Sequence, residues 1–188
     1  QSQLESLKEQ VKPHFLFNSL STLIGLIDED KERAKKFVEE LAFVYRYLLQ
    51  SSEKPLIPLS EELAFIKAYY FLLKTRFDER LLLDIYVGNE IAQQMIPPLT
   101  LQILLENAVK HNIISQETPL HIVISEVNSN KVVISNTLQR RAQSVVSTQT
   151  GLANLAAKYQ LMQQPGPEIF ETQDKFSVQI TLLPNQAS

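Results

Sequence analysis

Between Leu4 and Ile27 the apolar residues fall at Leu4, Leu7, Val11, Phe15, Leu16, Leu20, Leu23, Ile24 and Ile27. Spacings of three and four trace one stripe along an α-helix. Pro13 interrupts the stripe. A proline removes a backbone donor and starts or kinks a helix, so a break or bend is expected just before His14. Asp28, Glu29 and Asp30 form a short acidic connection. A second helix is predicted from Lys31 to Leu49, with Ala34, Phe37, Val38, Leu41, Val44, Tyr45 and Leu48 on one face. Two helices with so short a link fold back as an antiparallel hairpin. Each carries more apolar face than the hairpin can bury, which predicts pairing with a second copy into a four-helix bundle.

Pro55 and Pro58 end this region. Ser60 is placed as the N-cap of a helix running to about Arg76, with Glu61 and Glu62 in the first turn suiting the positive end of its dipole. Its aromatic residues, Phe65, Tyr69, Tyr70 and Phe71, are expected to pack forwards, against the second half of the chain. After Asp78 the period changes. Leu81 to Val87 reads as a strand, and Pro97-Pro98 opens a helix from Leu99 to His111. Strands over Leu120 to Val127 and Lys131 to Asn136 are joined by the turn residues Asn128-Ser129-Asn130. Thr137 to Thr150 reads as a loop and Gly151 to Met162 as a helix. After the Pro165-Gly166-Pro167 turn, strands over Ile169 to Thr172 and Lys175 to Leu183 close the chain. The class is α+β. A dimerising helical hairpin (1–58) and a connecting helix (59–78) precede a two-layer α/β sandwich (79–188).

Composition narrows the function. Of 188 residues, 44 % are hydrophobic and 21 % charged, and the net charge is −3. That is a chain able to bury a core, with no basic footprint for direct nucleic-acid binding. The absence of cysteine removes disulfides, thiolate catalysis and cysteine-ligated metals. The three histidines lack metal-ligand spacing, and His121, in a strand, has no partner that the sequence identifies. No run approaches the ~18 apolar residues of a membrane-spanning helix, and no signal peptide opens the chain. The start on QSQLESLKEQ, without methionine, suggests a piece of a longer protein.

Two stretches hold the candidate chemistry. In KPHFLFNSLS, from Lys12 to Ser21, His14 and Asn18 are four apart and share one face of a helix. Asn18 can hydrogen-bond one imidazole nitrogen and leave the other as acceptor and nucleophile. The same residues also describe a packed histidine in an apolar helix. In LLENAVKHN, from Leu104 to Asn112, the helix carries Glu106, Asn107, Lys110 and His111 on a polar face. Nothing in that face alone requires a ligand.

KPHFLFNSL closely resembles the phosphoacceptor motif of the LytS-type sensor histidine kinases. PPLTLQILLENAVKHN resembles that family's N-box, part of a GHKL-type ATP-binding domain. The resemblance spans essentially the whole chain. It implies autophosphorylation on His14 from Mg-ATP, with Asn18 orienting the imidazole and Pro13 shaping the turn. The phosphoramidate so formed is labile and can pass to an aspartate. By the same resemblance Asn107 ligates magnesium through its side-chain oxygen, Lys110 reaches a phosphate, Glu106 is the acidic neighbour and His111 touches phosphate or ends the helix. Homodimerisation, a response-regulator partner with a LytTR DNA-binding domain and a membrane-anchored sensor portion upstream are also implied. This chain would then be the cytoplasmic part of an inner-membrane protein.

The departures from the family pattern bear on the nucleotide site. The family's Asp-x-Gly-x-Gly box is replaced by Asn136-Thr137-Leu138. The later glycine box survives only as Gly151-Leu152-x-Asn154, with Gln149 and Thr150 before it and Lys158 where arginine is common. Only four glycines are present, which limits other phosphate-cradling loops. Either ATP binds through a trimmed site, the expectation carried forward, or much nucleotide affinity is lost. The rival functions are a non-catalytic dimeric scaffold and a GHKL-type ATPase that hydrolyses ATP.

Overall fold

The computed structural model describes residues 13–51, 54–139 and 148–185. The expected break before His14 and most of the Thr137–Thr150 segment lie outside these residues. The described chain opens with helix α1 (Pro13–Glu29) and helix α2 (Lys31–Ser51). The acidic connection shrinks to Asp30, because α1 runs through Glu29. Asp30 caps the next helix: its Oδ1 accepts the Arg33 N–H at 3.0 Å, as an N-cap aspartate does. Phe15 near the start of α1 meets Tyr45 near the end of α2, ring centroids 6.3 Å apart, so the pair is an antiparallel hairpin.

The inner stripe of α2 is Ala34, Phe37, Leu41, Val44 and Leu48, all buried. Its spacing alternates three and four, the seam that closely packed helices share. On α1, Phe15, Ser19, Leu23 and Leu26 turn inward. Phe17, Leu20, Ile24 and Ile27, a second stripe at spacings of three and four, stand exposed.

A short strand β1 (Ile57–Pro58) pairs antiparallel with β3 (Met95–Ile96). Helix α3 (Leu59–Phe77) comes directly after β1. It begins two residues earlier than expected, with Pro58, which makes no side-chain cap, in the N-cap place given to Ser60. Leu59, Leu63, Phe65, Ile66, Ala68, Tyr69 and Leu72 are buried, so α3 is the central helix of the molecule. Its aromatics pack mainly backwards onto the hairpin rather than forwards. Phe65 stacks on Tyr47 at 4.3 Å and lies 5.9 Å from Tyr69, and Tyr69 meets Phe15 at 5.2 Å. Tyr70 reaches forward, its hydroxyl donating to the Leu81 carbonyl at 3.0 Å.

A 3-10 turn (Asp78–Arg80) leads to β2 (Leu81–Tyr86), helix α4 (Asn89–Ala92), β3 and helix α5 (Thr100–His111). The rest is β4 (Leu120–Asn128), β5 (Lys131–Thr137), α6 (Thr148–Leu161), β6 (Glu168–Glu171) and β7 (Lys175–Thr181). The five-stranded sheet runs β2-β4-β5-β7-β6, with β2 and β4 parallel and the other pairs antiparallel. Leu81, Leu120, Ile122, Ile124, Val132, Ile134, Val178 and Ile180 fill the face covered by helices, the period-two signature of a half-buried sheet. Asn130 N–H donates to Asn128 Oδ1 at 3.0 Å, building the expected turn, with a register shift between Glu126 and Asn128. The expected α+β class, a helical hairpin followed by a two-layer α/β sandwich, is what forms.

Candidate functional site

On α1, His14 is exposed and Asn18 half-buried, and the Asn18 Nδ2 atom lies 3.3 Å from His14 Nδ1. The spacing of four puts them on one face, as the periodicity requires. Pro13 is the first residue of the described helix.

The second group stands on α5. Glu106 is half-buried, and its Oε1 accepts the Tyr69 hydroxyl at 2.8 Å and Gln102 Nε2–H at 3.1 Å. Burial, then the charge of Glu106, push the Tyr69 phenol well above its usual range, so the hydroxyl stays a donor at any working pH. The Nδ2 atom of Asn107, one residue on, is sealed from solvent and has no hydrogen-bond partner among the described residues. A buried amide nitrogen left so costs free energy, which makes this amide a candidate to meet a ligand atom at α5. Lys110 is exposed and His111 half-buried in the last turn. Cations there complement the negative end of the helix.

The two groups are linked by packing. Phe15, directly after His14, rests on the Tyr69 ring, and the Tyr69 hydroxyl holds Glu106, directly before Asn107.

The remaining expected residues lie on β5 and α6. Asn136 is buried opposite Ile122 and Phe176 on the helix-covered face, and its Nδ2 donates to the Thr137 carbonyl at 2.7 Å. Gly151 lies inside α6, where an added Cβ would sit 3.0 Å from Ile103 Cγ2 of α5. Its missing side chain therefore serves helix-to-helix approach. Leu152 packs against the core, while Asn154 and Lys158 are exposed on α6.

Two residues that position this site were not singled out from the sequence. Asn112, 2 % exposed, ties the end of α5 to the segment after β5. Its Nδ2 donates to the Ala108 carbonyl at 2.8 Å, and its Oδ1 accepts the Gln139 N–H at 2.6 Å. An asparagine just past a helix is a C-terminal signal that was available. The other is Glu62, fully buried. Its Oε1 accepts the Leu99 N–H at 2.7 Å and its Oε2 the Leu101 N–H at 2.9 Å. The Tyr47 hydroxyl donates to Oε1 as well.

Leu99 has a left-handed backbone, φ 66° and ψ 10°, a conformation costing a side-chain-bearing residue about 1–2 kcal/mol. The two backbone hydrogen bonds to Glu62, about 0.5–1.5 kcal/mol each, offset that cost. Burial raises the Glu62 carboxyl above the usual carboxylate range, against the pull of Tyr47, Leu101 and Leu99 as donors and of the Lys158 charge. From the sequence, Glu62 reads only as an acidic residue in the first turn of its own helix.

His121 also finds a partner. Its Nε2 lies 2.7 Å from Asp84 Oδ2, a half-exposed pair on the sheet face away from the helices. Parallel pairing of β2 with β4 brings them together, which no local pattern announces.

Residues 2–81 match the sequence profile of the family described as "Histidine kinase". The sensor protein LytS of Bacillus cereus is 36 % identical over 110 residues, 58 % of this chain and 19 % of that protein. The sensor histidine kinase/phosphatase LytS of Staphylococcus aureus is 31 % identical over 144 residues, 77 % of this chain and 25 % of that one. The chain thus spans a quarter or less of the length of these relatives. Among solved structures, the Acinetobacter baumannii histidine kinase AdeS aligns with a TM-score of 0.46 at 15 % identity, covering 89 % of this chain and 95 % of that one. With the histidine–asparagine pair on α1 and the asparagine-bearing α5 in place, the profile and the two relatives show that the chain belongs to the LytS-type sensor histidine kinases.

Proposed function

We propose that this chain is the kinase core of a two-component sensor: it takes the γ-phosphoryl group of Mg-ATP onto His14 and passes it to an aspartate of a response regulator. The observation that carries the reading is the packed line from His14 through Phe15 and Tyr69 to Glu106, beside Asn107. In-line phosphoryl transfer depends on positioning and charge neutralisation rather than on covalent work by the protein, and such a line ties α1, through α3, to the nucleotide helix.

The residues fit an adenine nucleotide with magnesium at α5. The unpartnered end of the Asn107 amide suits a phosphate oxygen and, with the amide turned, its oxygen suits a hard cation. Lys110 in the last turn and Lys158 on α6 supply positive charge, and His111 beside Lys110 adds an imidazole. Asn136, and Gly151 with Leu152 and Asn154, form the remaining proposed boundary. When bound, magnesium and the triphosphate supply the transferable group and neutralise charge on its oxygens.

The chain's own part is the state of His14. With the Asn18 amide nitrogen donating to Nδ1, the imidazole proton sits on Nε2. With the amide reversed, Oδ1 accepts from Nδ1–H and the Nε2 lone pair is free to attack. Asn18 thereby selects the tautomer. The exposed stripe Phe17, Leu20, Ile24 and Ile27 supports pairing of two hairpins into a four-helix homodimer.

In this reading residues 1–58 are the dimerising hairpin, 59–78 the connecting helix and 79–188 the nucleotide-binding domain. Among the described residues no helix is long and apolar enough to cross a membrane. By its family the chain is proposed as the cytoplasmic portion of a membrane-attached sensor, its regulator carrying a LytTR domain.

The test is incubation with Mg-ATP labelled at the γ-phosphate. Label that is acid-labile and base-stable on the parent chain, and absent from His14→Ala, is expected. Label persisting on His14→Ala would remove the assigned nucleophile. Calorimetry without a binding heat at millimolar ATP would leave a dimeric scaffold.

A further inference from the structure

We infer that Glu62 is a positioning residue for the nucleotide helix and that the Tyr47 hydroxyl makes this positioning answer to the helical hairpin. The inference rests on the nucleotide-binding reading of α5. Three elements meet at this one carboxylate. Glu62 belongs to α3, Leu99 and Leu101 begin α5, and Tyr47 belongs to α2, which packs with the phosphoacceptor helix.

The transfer chemistry has no use for Glu62, which is 0 % exposed and so cannot touch substrate. A carboxylate is buried at high cost unless donors surround it, and the donors here are backbone amides at a helix start. That start is itself constrained. Leu99 is left-handed without being glycine, and Thr100, 0 % exposed, donates its hydroxyl to the Pro97 carbonyl at 2.7 Å. Glu62 therefore sets where α5 begins, and with it where Asn107 lies.

Tyr47 adds the dependence on the hairpin. Its ring is held independently by stacking on Phe65, 4.3 Å between centroids and 22° between planes. The hydroxyl shares Oε1 with the Leu99 amide. A shift of α2 that withdraws this hydroxyl leaves Oε1 to Leu99 alone and loosens the joint at the head of α5. A signal arriving along the hairpin then reaches the nucleotide site through one oxygen atom, with no need for the sheet to move.

The decisive variant is Tyr47→Phe in the full 188-residue chain, which keeps the stacked ring and removes one donor. Native-state amide exchange, followed by NMR without nucleotide, is expected to speed up at Leu99 and Leu101 by about three- to tenfold, the weight of one hydrogen bond. Exchange at Ile122, Ile124 and Ile134 in the sheet is expected to stay unchanged. Calorimetry with Mg-ATP is expected to give a similar loss of affinity.

Glu62→Gln, matched in size, is the second variant, with the same local pattern of exchange expected. Unchanged protection at Leu99 and Leu101 overturns the inference. So does a uniform loss of protection across the sheet, the mark of a carboxylate that merely stabilises the fold. A parent chain that fails to bind ATP overturns the nucleotide reading instead, and the nucleotide-free exchange still decides the role of Glu62.

Discussion

Tyr69→Phe is the sharpest probe of the line that joins His14 to the nucleotide helix. The substitution removes a single oxygen from a ring that is 3 % exposed and leaves its contacts with Phe15 and Phe65 in place. What goes is a hydrogen bond of 2.8 Å to Glu106. Bonds to charged groups contribute about 1.5–3 kcal/mol. Glu106 is half-buried and keeps the Gln102 amide at 3.1 Å, so water and Gln102 take up part of the loss. That leaves about 1–2 kcal/mol.

In urea, with a slope of about 2 kcal/mol per molar, the midpoint should fall by roughly 0.5–1 M. In heat, at about 2–4 °C per kcal/mol for a chain of this size, the loss is roughly 2–8 °C. Urea unfolding followed by circular dichroism measures it. The cycle with Glu106→Gln isolates the bond, and a coupling near ~1 kcal/mol is expected. A Tyr69→Phe chain within about 0.3 kcal/mol of the parent, or strictly additive single variants, would refute the bond and with it the packed line to α5.

Three further outcomes are expected. Phe17→Glu with Ile24→Glu, at positions 69 % and 68 % exposed, should halve the mass seen by light scattering while the circular dichroism spectrum stays unchanged; a persistent dimer would move the interface elsewhere. Gly151→Ala gains about 1 kcal/mol of helix propensity but crowds Ile103, 3.0 Å away, at about 1–3 kcal/mol. A net loss of stability that Ile103→Val partly restores is expected in thermal unfolding, and additivity of the two would show no crowding. Because burial raises the Glu62 carboxyl, the folded chain holds that proton more tightly than the unfolded one. This contribution is complete below the unfolded value near ~4.3 and is lost as pH rises through the folded value. Stability measured relative to Glu62→Gln should therefore fall as pH rises from about 4, and a rise would reverse the assignment.

What could be read in advance from the chain is what depends on neighbours along it. The stripe of α2 from Ala34 to Leu48 and the alternation of the strands come from helix and strand periods, which are local geometry. His14 and Asn18 meet because four residues make one turn, whatever else the chain does. The family motifs pointed to α5 for the same reason, as contiguous residue patterns.

Tertiary structure alone decided which distant groups share a contact. Glu62 lies 37 residues from Leu99 and 39 from Leu101, and Tyr69 lies 37 from Glu106. His121 finds Asp84, 37 positions away in sequence, across a parallel strand pair. Phe65 and Tyr69 of α3 turned back to the hairpin, where the rings of Tyr47 and Phe15 gave them apolar surface to cover. Residue type fixes what a buried carboxylate or phenol requires, but only the path of the chain fixes which donor or acceptor arrives to meet it.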